Sequence, residues 1–468
     1  MNNIFATNRK GEESGFALSL GWFVVALLVV YIPSLVYDVF YHNVLVLCNF
    51  ISYILCIYSW RRFGGRWLSV FVFFIVYALF CNLGNSILYS TMSWTNTTEA
   101  LKIYENAYWM SIIDMLRFQF LCVASMNVGV SAYTSVAKAY IPSVSKTRTE
   151  ANTLEVFWLL TVAYHIYLSY HYLTFRITAG YSDLDSLIVS EDYGLLGTLL
   201  TYFFLFLSLL LLFKGKQVKT IYLLLTCLSL AFMISGKRYM AIRFIGAILV
   251  FLGATHPRLF RKRYVWIWVA AGIGFMAFIN VIRVLRGSSI ADGIDVEKSV
   301  FQLVLGTFAE MGQSEWPAII TMDIIGSTDQ YMHSIYNTFL RVTGFDVLFG
   351  LETEESLGRW ITNQMGTNYG LGYSFVAEAY ANFGWLGWIF TFIYGWLIVW
   401  LENSAYRMLS QKINIYVALA ILCLLLRQIF YARAQLDLCA FEIRMLIVFW
   451  GISLCMPFLK RTHNNSFN

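Results

Sequence analysis

Continuous apolar runs of about 17–25 residues recur from one end of the chain to the other, with short polar gaps between them. The stretch YFFLFLSLLLLF at 202–213 is representative, with a single serine breaking it. Runs of this kind are helices that cross lipid, because a helix satisfies its own backbone there. Strands of a membrane barrel would alternate apolar and polar positions with period two, and these runs do not. The pattern predicts about twelve spans, near 16–37, 42–60, 67–90, 109–135, 153–174, 193–213, 220–235, 239–255, 264–283, 375–402, 415–431 and 441–459. The fold class is all-α: a polytopic integral membrane helical bundle, read as a single integral membrane domain over 1–468 with one large loop at 284–384. The first run follows Arg9, Lys10, Glu12 and Glu13 and has no small-residue cleavage site, so it is expected to remain as the first span.

Charge gives these spans a direction. One set of alternate gaps holds Arg9, Lys10, Arg61, Arg62, Arg66, Lys138, Lys146, Arg148, Lys214, Lys216, Lys219, Arg258, Arg261, Lys262, Arg263, Arg407, Lys412, Lys460 and Arg461, nineteen in all. The other set of short gaps holds five: Lys102, Arg176, Lys237, Arg238 and Arg433. Cytoplasmic gaps carry the excess of lysine and arginine, so both termini are expected inside and the 284–384 loop outside.

Composition removes several classes of function. The 468 residues are 59% hydrophobic and only 13% charged, whereas water-soluble domains carry about 25% charge. Mean hydropathy is +0.63. The net charge of +6 reflects basic residues on one membrane face and points to no nucleic acid. No G-x-x-x-x-G-K-[ST] loop or Gly-rich strand-to-helix turn is present, which argues against chemistry on a cytoplasmic nucleotide. No H-E-x-x-H, Cys/His cluster or acidic calcium loop appears, so no metal and no cofactor is implied. The eight cysteines fall almost entirely inside apolar runs and read as small packing residues.

Candidate chemistry gathers on the outer side. Within 284–384, VFQLVLGTFAEM (300–311) and QYMHSIYNTFLRV (330–342) read as short amphipathic helices on or dipping into the outer face. Acidic residues there outnumber basic ones by twelve to four. Trp316, Tyr331, Tyr336, Trp360, Tyr369 and Tyr373 offer rings that suit sugar stacking, although interfacial aromatics also form the ordinary belt of a membrane protein.

The arginines are more telling. In the hairpin ISGKRYMAIR, Gly236 ends one helix and leaves Lys237 and Arg238 at the positive N-terminus of the next, with Arg243 further along. Cations, free N–H groups and a helix dipole together suit an anion. Arg238 and Arg243 are about 140° apart around a helix, so they would converge on a ligand from different heights. Arg283 and Arg286 share one face at the outer end of the ninth span, and Arg427 and Arg444 lie within the last two spans. Guanidinium stays ionised and forks onto phosphate, which suits a pyrophosphate headgroup. The plainer readings are snorkelling to lipid phosphates or pairing with Glu442 or Asp114. Two residues are candidate bases: His333, the only histidine of the long loop, and Glu378, where the loop re-enters the membrane, with the arginine cluster as its candidate partner. His165 and His171 lack metal-ligand spacing and read as core residues.

The segment GLGYSFVAEAYANFGWLGWIFTFIYGWLIVWLE (370–402), with Glu378, Tyr380, Asn382, Phe383, Gly384 and Gly387, resembles the return into the membrane of the Wzy-type O-antigen and capsule polymerases. The hairpin SGKRYMAIR (235–243) resembles their short glycine–arginine turn, and His333-Ser334 resembles the start of the loop motif of the related O-antigen ligases. The resemblance implies a GT-C-like, O-antigen ligase-like architecture in the bacterial inner membrane. It implies a metal-independent glycosyltransferase that joins undecaprenyl-pyrophosphate-linked repeat units at the periplasmic face. Catalytic roles would fall to His333 and Glu378, pyrophosphate binding to Arg238, Arg243, Arg283, Arg286 and Arg427. A chain-length regulator is the implied partner besides the bilayer and the lipid-linked glycans. Two other readings are an O-antigen ligase and a transporter or flippase of a lipid-linked or small substrate. The transporter predicts repeated halves and paired helix breaks, and the chain has only five prolines and no visible repeat.

Overall fold

The computed structural model describes residues 2–31, 39–91, 109–137, 139–140, 152–190, 195–235, 237–255, 274, 300–325, 333–351, 355–364 and 373–465. Among the described residues all regular structure is helical. The helices are α1 (Asn2–Tyr31), α2 (Val39–Arg62), α3 (Val70–Thr91), α4 (Trp109–Val136), α5 (Asn152–Ser190), α6 (Leu195–Phe213), α7 (Val218–Ser235) and α8 (Arg238–Thr255). After them come α9 (Val300–Gly312), α10 (Glu315–Ile325), α11 (His333–Thr343), α12 (Phe345–Phe349), α13 (Leu357–Gln364) and α14 (Phe375–Phe383). The last three are α15 (Gly387–Gln411), α16 (Ile415–Tyr431) and α17 (Ala440–Asn465).

Seven helical stretches among the described residues are long and apolar enough to cross a membrane, and three more are apolar but shorter: Gly15–Tyr31, Tyr239–Gly253 and Ile415–Tyr431. The expected span at 264–283 lies outside the described residues. The expected span at 375–402 is broken. A 3-10 turn at Gly384–Leu386 separates α14 from α15, with Gly384 at φ 54, a conformation that glycine adopts without steric cost.

The chain forms two compact units, and it passes between them five times. One comprises Met1–Ala139, Phe308–Asn403 and Gln428–Ala440; the other comprises Tyr140–Thr307, Ser404–Arg427 and Phe441–Asn468.

Helix α4 is the centre of the first unit, with 94% of its apolar window buried. It is also unusually polar for a buried helix, and its polar groups join it to its neighbours. Arg117 donates to the carbonyls of Val29 and Val30 at the end of α1 and pairs with Asp114 at 2.9 Å. Asp114 therefore serves α4 itself. Ser19, Ser59, Asn127 and Ser131 close a buried ring of hydrogen bonds between α1, α2 and α4. In lipid no hydrophobic force drives helices together, so such bonds and close packing have to do it. Close packing is supplied by Gly129 and Gly395. A Cβ on either would strike the backbone of the facing helix, at Phe392 and Met126 respectively.

The helix ends of this unit form two layers. In one, the carboxylate of Glu402 caps the start of α3 by accepting from the N–H groups of Val70 and Phe71, both at 3.0 Å. Asn403 bonds Tyr133 near the end of α4, and Trp60 and Phe63 at the end of α2 pack there too. In the other layer His42 stacks on Trp109 and meets Tyr89 edge-on, and Ser111 bonds Asp323 at the end of α10. Helices α2, α3 and α4 thus run up and down through the unit. The long loop meets the bundle at the layer away from Arg61 and Arg62.

The first part of that loop is not a surface segment. Helix α10 is core, with Ala318, Ile319, Ile320 and Thr321 buried. At its start the buried Glu315 accepts from the N–H groups of Asn85 and Ser86 and from the Ser86 hydroxyl at 2.6 Å. Gly84 and Gly312 let α3 and the end of α9 touch backbone to backbone. The helix expected over 300–311 forms as α9, with Thr307 and Ala309 buried.

Candidate functional site

In the first unit a polar centre forms where α11, α14 and the connector between α16 and α17 converge. Ser374 caps α14 by accepting from Ala377 N, which sets the helix so that Glu378, one turn on, points inward. Glu378 is 1% exposed. Its Oε1 accepts from the Ser334 hydroxyl at 2.6 Å and its Oε2 from the N–H of Leu436 at 2.9 Å, with Tyr431 beside it. Asn382, one further turn along α14, donates to Ser334 Oγ at 2.7 Å and to the Glu378 carbonyl at 2.7 Å. The spacing of four between Glu378 and Asn382 places both on one helix face.

The same connector is held at two more points. Arg341, on α11, pairs with the buried Asp437 at 2.7 Å, and Gln435 accepts from the N–H of Gly358 at the start of α13. Tyr373 N donates to the carbonyl of Arg433, and the Tyr373 hydroxyl bonds Thr321. Loop, re-entry helix and connector are thus one fastened assembly. Its depth follows from α3. Asn82 donates to the carbonyl of Ala432 at 3.4 Å, and Asn82 lies nine residues, about 13 Å, before the end of α3. The centre is recessed below the rim of the bundle.

The second unit holds a cationic centre. Arg243 is 4% exposed, and its Nη2 lies 2.9 Å from Glu442 Oε1. Arg243 Nε makes no hydrogen bond among the described residues. Arg427 lies over the ring of Tyr239 at 4.8 Å, and Lys237 over the ring of Tyr172 at 4.6 Å. Both contacts have cation–π geometry. Helix α8 begins at Arg238, directly after the α7 turn. His165 stacks on Phe204 at 4.3 Å and bonds the Thr161 carbonyl, as expected of a core histidine.

The predicted site residues fall in both units. Glu378 sits in the first unit's polar centre; His333 opens α11 one residue before Ser334, and its side chain lies outside the described residues. Arg243 and Arg427 sit in the second unit's cationic centre. Arg238 opens α8, with its side chain outside the described residues, and Arg283 and Arg286 lie outside them altogether. Two expectations change. Among the described residues Glu378 is held by a hydroxyl and a peptide N–H rather than by an arginine, and the guanidinium of Arg341 pairs with Asp437. Trp360 and Tyr373 are buried structural rings at 8% and 1% exposure, so they present no face to a sugar.

Arg341, Asp437 and Gln435 were not singled out from the sequence. Asp437 carried one signal: it is a lone acid in a nine-residue gap between two apolar helices, where an unpaired charge is costly.

The apolar helices and their buried polar fastenings define a multi-pass α-helical membrane protein. The family model described as O-antigen polysaccharide polymerase Wzy matches residues 19–462, and the chain belongs to that family. No curated protein and no solved structure matches the chain at a significant level.

Proposed function

We propose that this chain polymerises undecaprenyl-pyrophosphate-linked oligosaccharide repeat units at the periplasmic face of the bacterial inner membrane, with both termini cytoplasmic. Membership of the O-antigen polymerase family supports polymerisation and favours it over the ligase and transporter readings. The observation that carries the site assignment is the clamp of Glu378 on Ser334, which fixes the first turn of the helix that His333 opens.

In this reading the acceptor sugar hydroxyl gives its proton to His333 and its oxygen attacks C1 of the donor glycan. The C1–O bond to pyrophosphate breaks, and undecaprenyl pyrophosphate leaves with the electron pair. Arg238, Arg243, Arg283, Arg286 and Arg427 stabilise the charge that develops on it. Glu378 orients the His333 turn, since both its oxygens already accept hydrogen bonds. Arg243 suits diphosphate because its Nε donor is uncommitted among the described residues and its partner Glu442 is a carboxylate that a phosphate oxygen can replace. The energy lies in the donor's glycosyl–pyrophosphate bond, so the reaction needs neither nucleotide nor metal. A chain-length regulator is the expected partner.

The test is glycan laddering in a deletion strain complemented with His333→Ala, with the double variant Arg243→Met, Glu442→Leu, or with the unaltered gene. The expected result is single repeat units from both variants at normal membrane abundance. Full ladders from both would remove the proposed site, and loss of all surface glycan, single units included, would return the assignment to a ligase.

A further inference from the structure

We infer that the hairpin formed by α11 and α12 inserts its outer side among the acyl chains of the bilayer leaflet on the loop side, as a lipid-facing paddle. Two observations carry this: the paddle's exposed apolar face and its depth.

Tyr336 and Phe339 on α11 are 47% and 54% exposed, and Leu348 and Phe349 on α12 are 72% and 68% exposed. Phe339, Phe345 and Phe349 form a ladder of rings with centroids 6.0 and 5.3 Å apart. Gly344, at φ 76, makes the corner between α11 and α12, and Gly350, at φ 62, ends α12. A contiguous exposed apolar face of this kind needs an apolar neighbour.

Depth identifies the neighbour. Helix α11 is fastened to the connector through Arg341–Asp437 and through Ser334–Glu378–Leu436. That connector joins two apolar helices, and its Ala432 meets α3 about 13 Å before the end of α3. A helix docked at that level meets hydrocarbon on any side that faces neither the protein nor a water-filled recess, and an apolar face selects the hydrocarbon. Helix α13 supplies the contrast. It docks on the same connector through Gly358 and Gln435, yet its outward residues are polar, with Arg359, Asn363 and Gln364 exposed. One flank of the connector thus faces lipid, the other water.

The placement rests on the spans, not on the chemistry proposed above, so it can fail while that chemistry stands. The experiment uses the full chain carrying an environment-sensitive fluorescent amino acid at Phe349, or at Asn363 as the polar comparison. The protein is reconstituted in phosphatidylethanolamine–phosphatidylglycerol vesicles with and without bromine on the acyl chains. The expected result is blue-shifted emission at position 349, quenched at least about twofold by brominated lipid, and little change at 363. Emission typical of water at 349 overturns the inference. So does blue-shifted emission that brominated lipid leaves untouched, which would mean that protein, a second copy or a partner, covers the face. Both positions are read by fluorescence in inserted protein, so an inactive variant still gives an answer.

Discussion

Two buried carboxylates organise the two units, and they are held in opposite ways. Glu378 in the first unit is satisfied by neutral donors, the Ser334 hydroxyl and the Leu436 peptide. Glu442 in the second is satisfied by the guanidinium of Arg243. A carboxylate bound by neutral donors that exist only in the folded assembly acts as a fastening, and nothing else can take its place. A carboxylate paired with arginine is exchangeable, because another anion of matching geometry can take the guanidinium. Under the proposed function the first centre positions and the second binds.

The largest effect that would test this contrast is at Glu378. Glu378→Ala leaves the Ser334 hydroxyl and the Leu436 N–H buried without an acceptor, at about 1–3 kcal/mol each. Polymer should fall at least about 100-fold by ladder densitometry, and the melting temperature of the purified protein should drop. Glu378→Gln keeps one acceptor oxygen and should retain more of both. Equal activity from the two variants and the native chain would mean that the fastening is dispensable.

Glu442→Gln comes next. It leaves Arg243 buried and unpaired, a loss of about 3–5 kcal/mol by analogy with other broken buried pairs. The double variant Arg243→Met, Glu442→Leu should recover most of that stability, since an apolar pair replaces an ion pair at little cost. Its ladder should stay absent. A stable double variant with a full ladder would show that the pair is purely structural.

A smaller effect is expected from Arg341→Gln. The arginine is one-third exposed, so the direct loss is about 1 kcal/mol after solvent screening. Ladder intensity should fall several-fold with little change in melting temperature, because the cut releases the far end of α11 but leaves Ser334 clamped. Ser334→Ala should cost about 1 kcal/mol and a few-fold in activity. Together with Glu378→Ala it should show non-additivity, as partners in one network do.

Much of the fold was legible in the chain. Apolar periodicity placed most of the long described helices, because lipid forbids unpaired backbone, but α1 starts 14 residues before its expected span and α5 runs 16 residues past its own. The Glu378–Asn382 face could be read from a spacing of four, and the Glu442 partner of Arg243 was among those weighed for the outer arginines. The loop was read less well. Helix α10 looks like any short amphipathic segment, and its burial depends on Gly84, Gly312 and Glu315 meeting a helix more than 200 positions away in sequence. The break after Phe383 hides inside an apolar run, where only glycines at 384 and 387 mark it.

The sequence by itself determined an all-helical membrane protein and singled out the carboxylate and arginines on which the proposed function rests. These follow from short-range rules, since solvation by lipid and helix geometry act on each segment separately. Tertiary structure alone decided which partner each buried charge keeps. Arg341 goes to Asp437, Glu378 to Ser334 and Leu436, and Arg243 to Glu442, because pairing inside lipid depends on which helices lie side by side, and no local pattern records that.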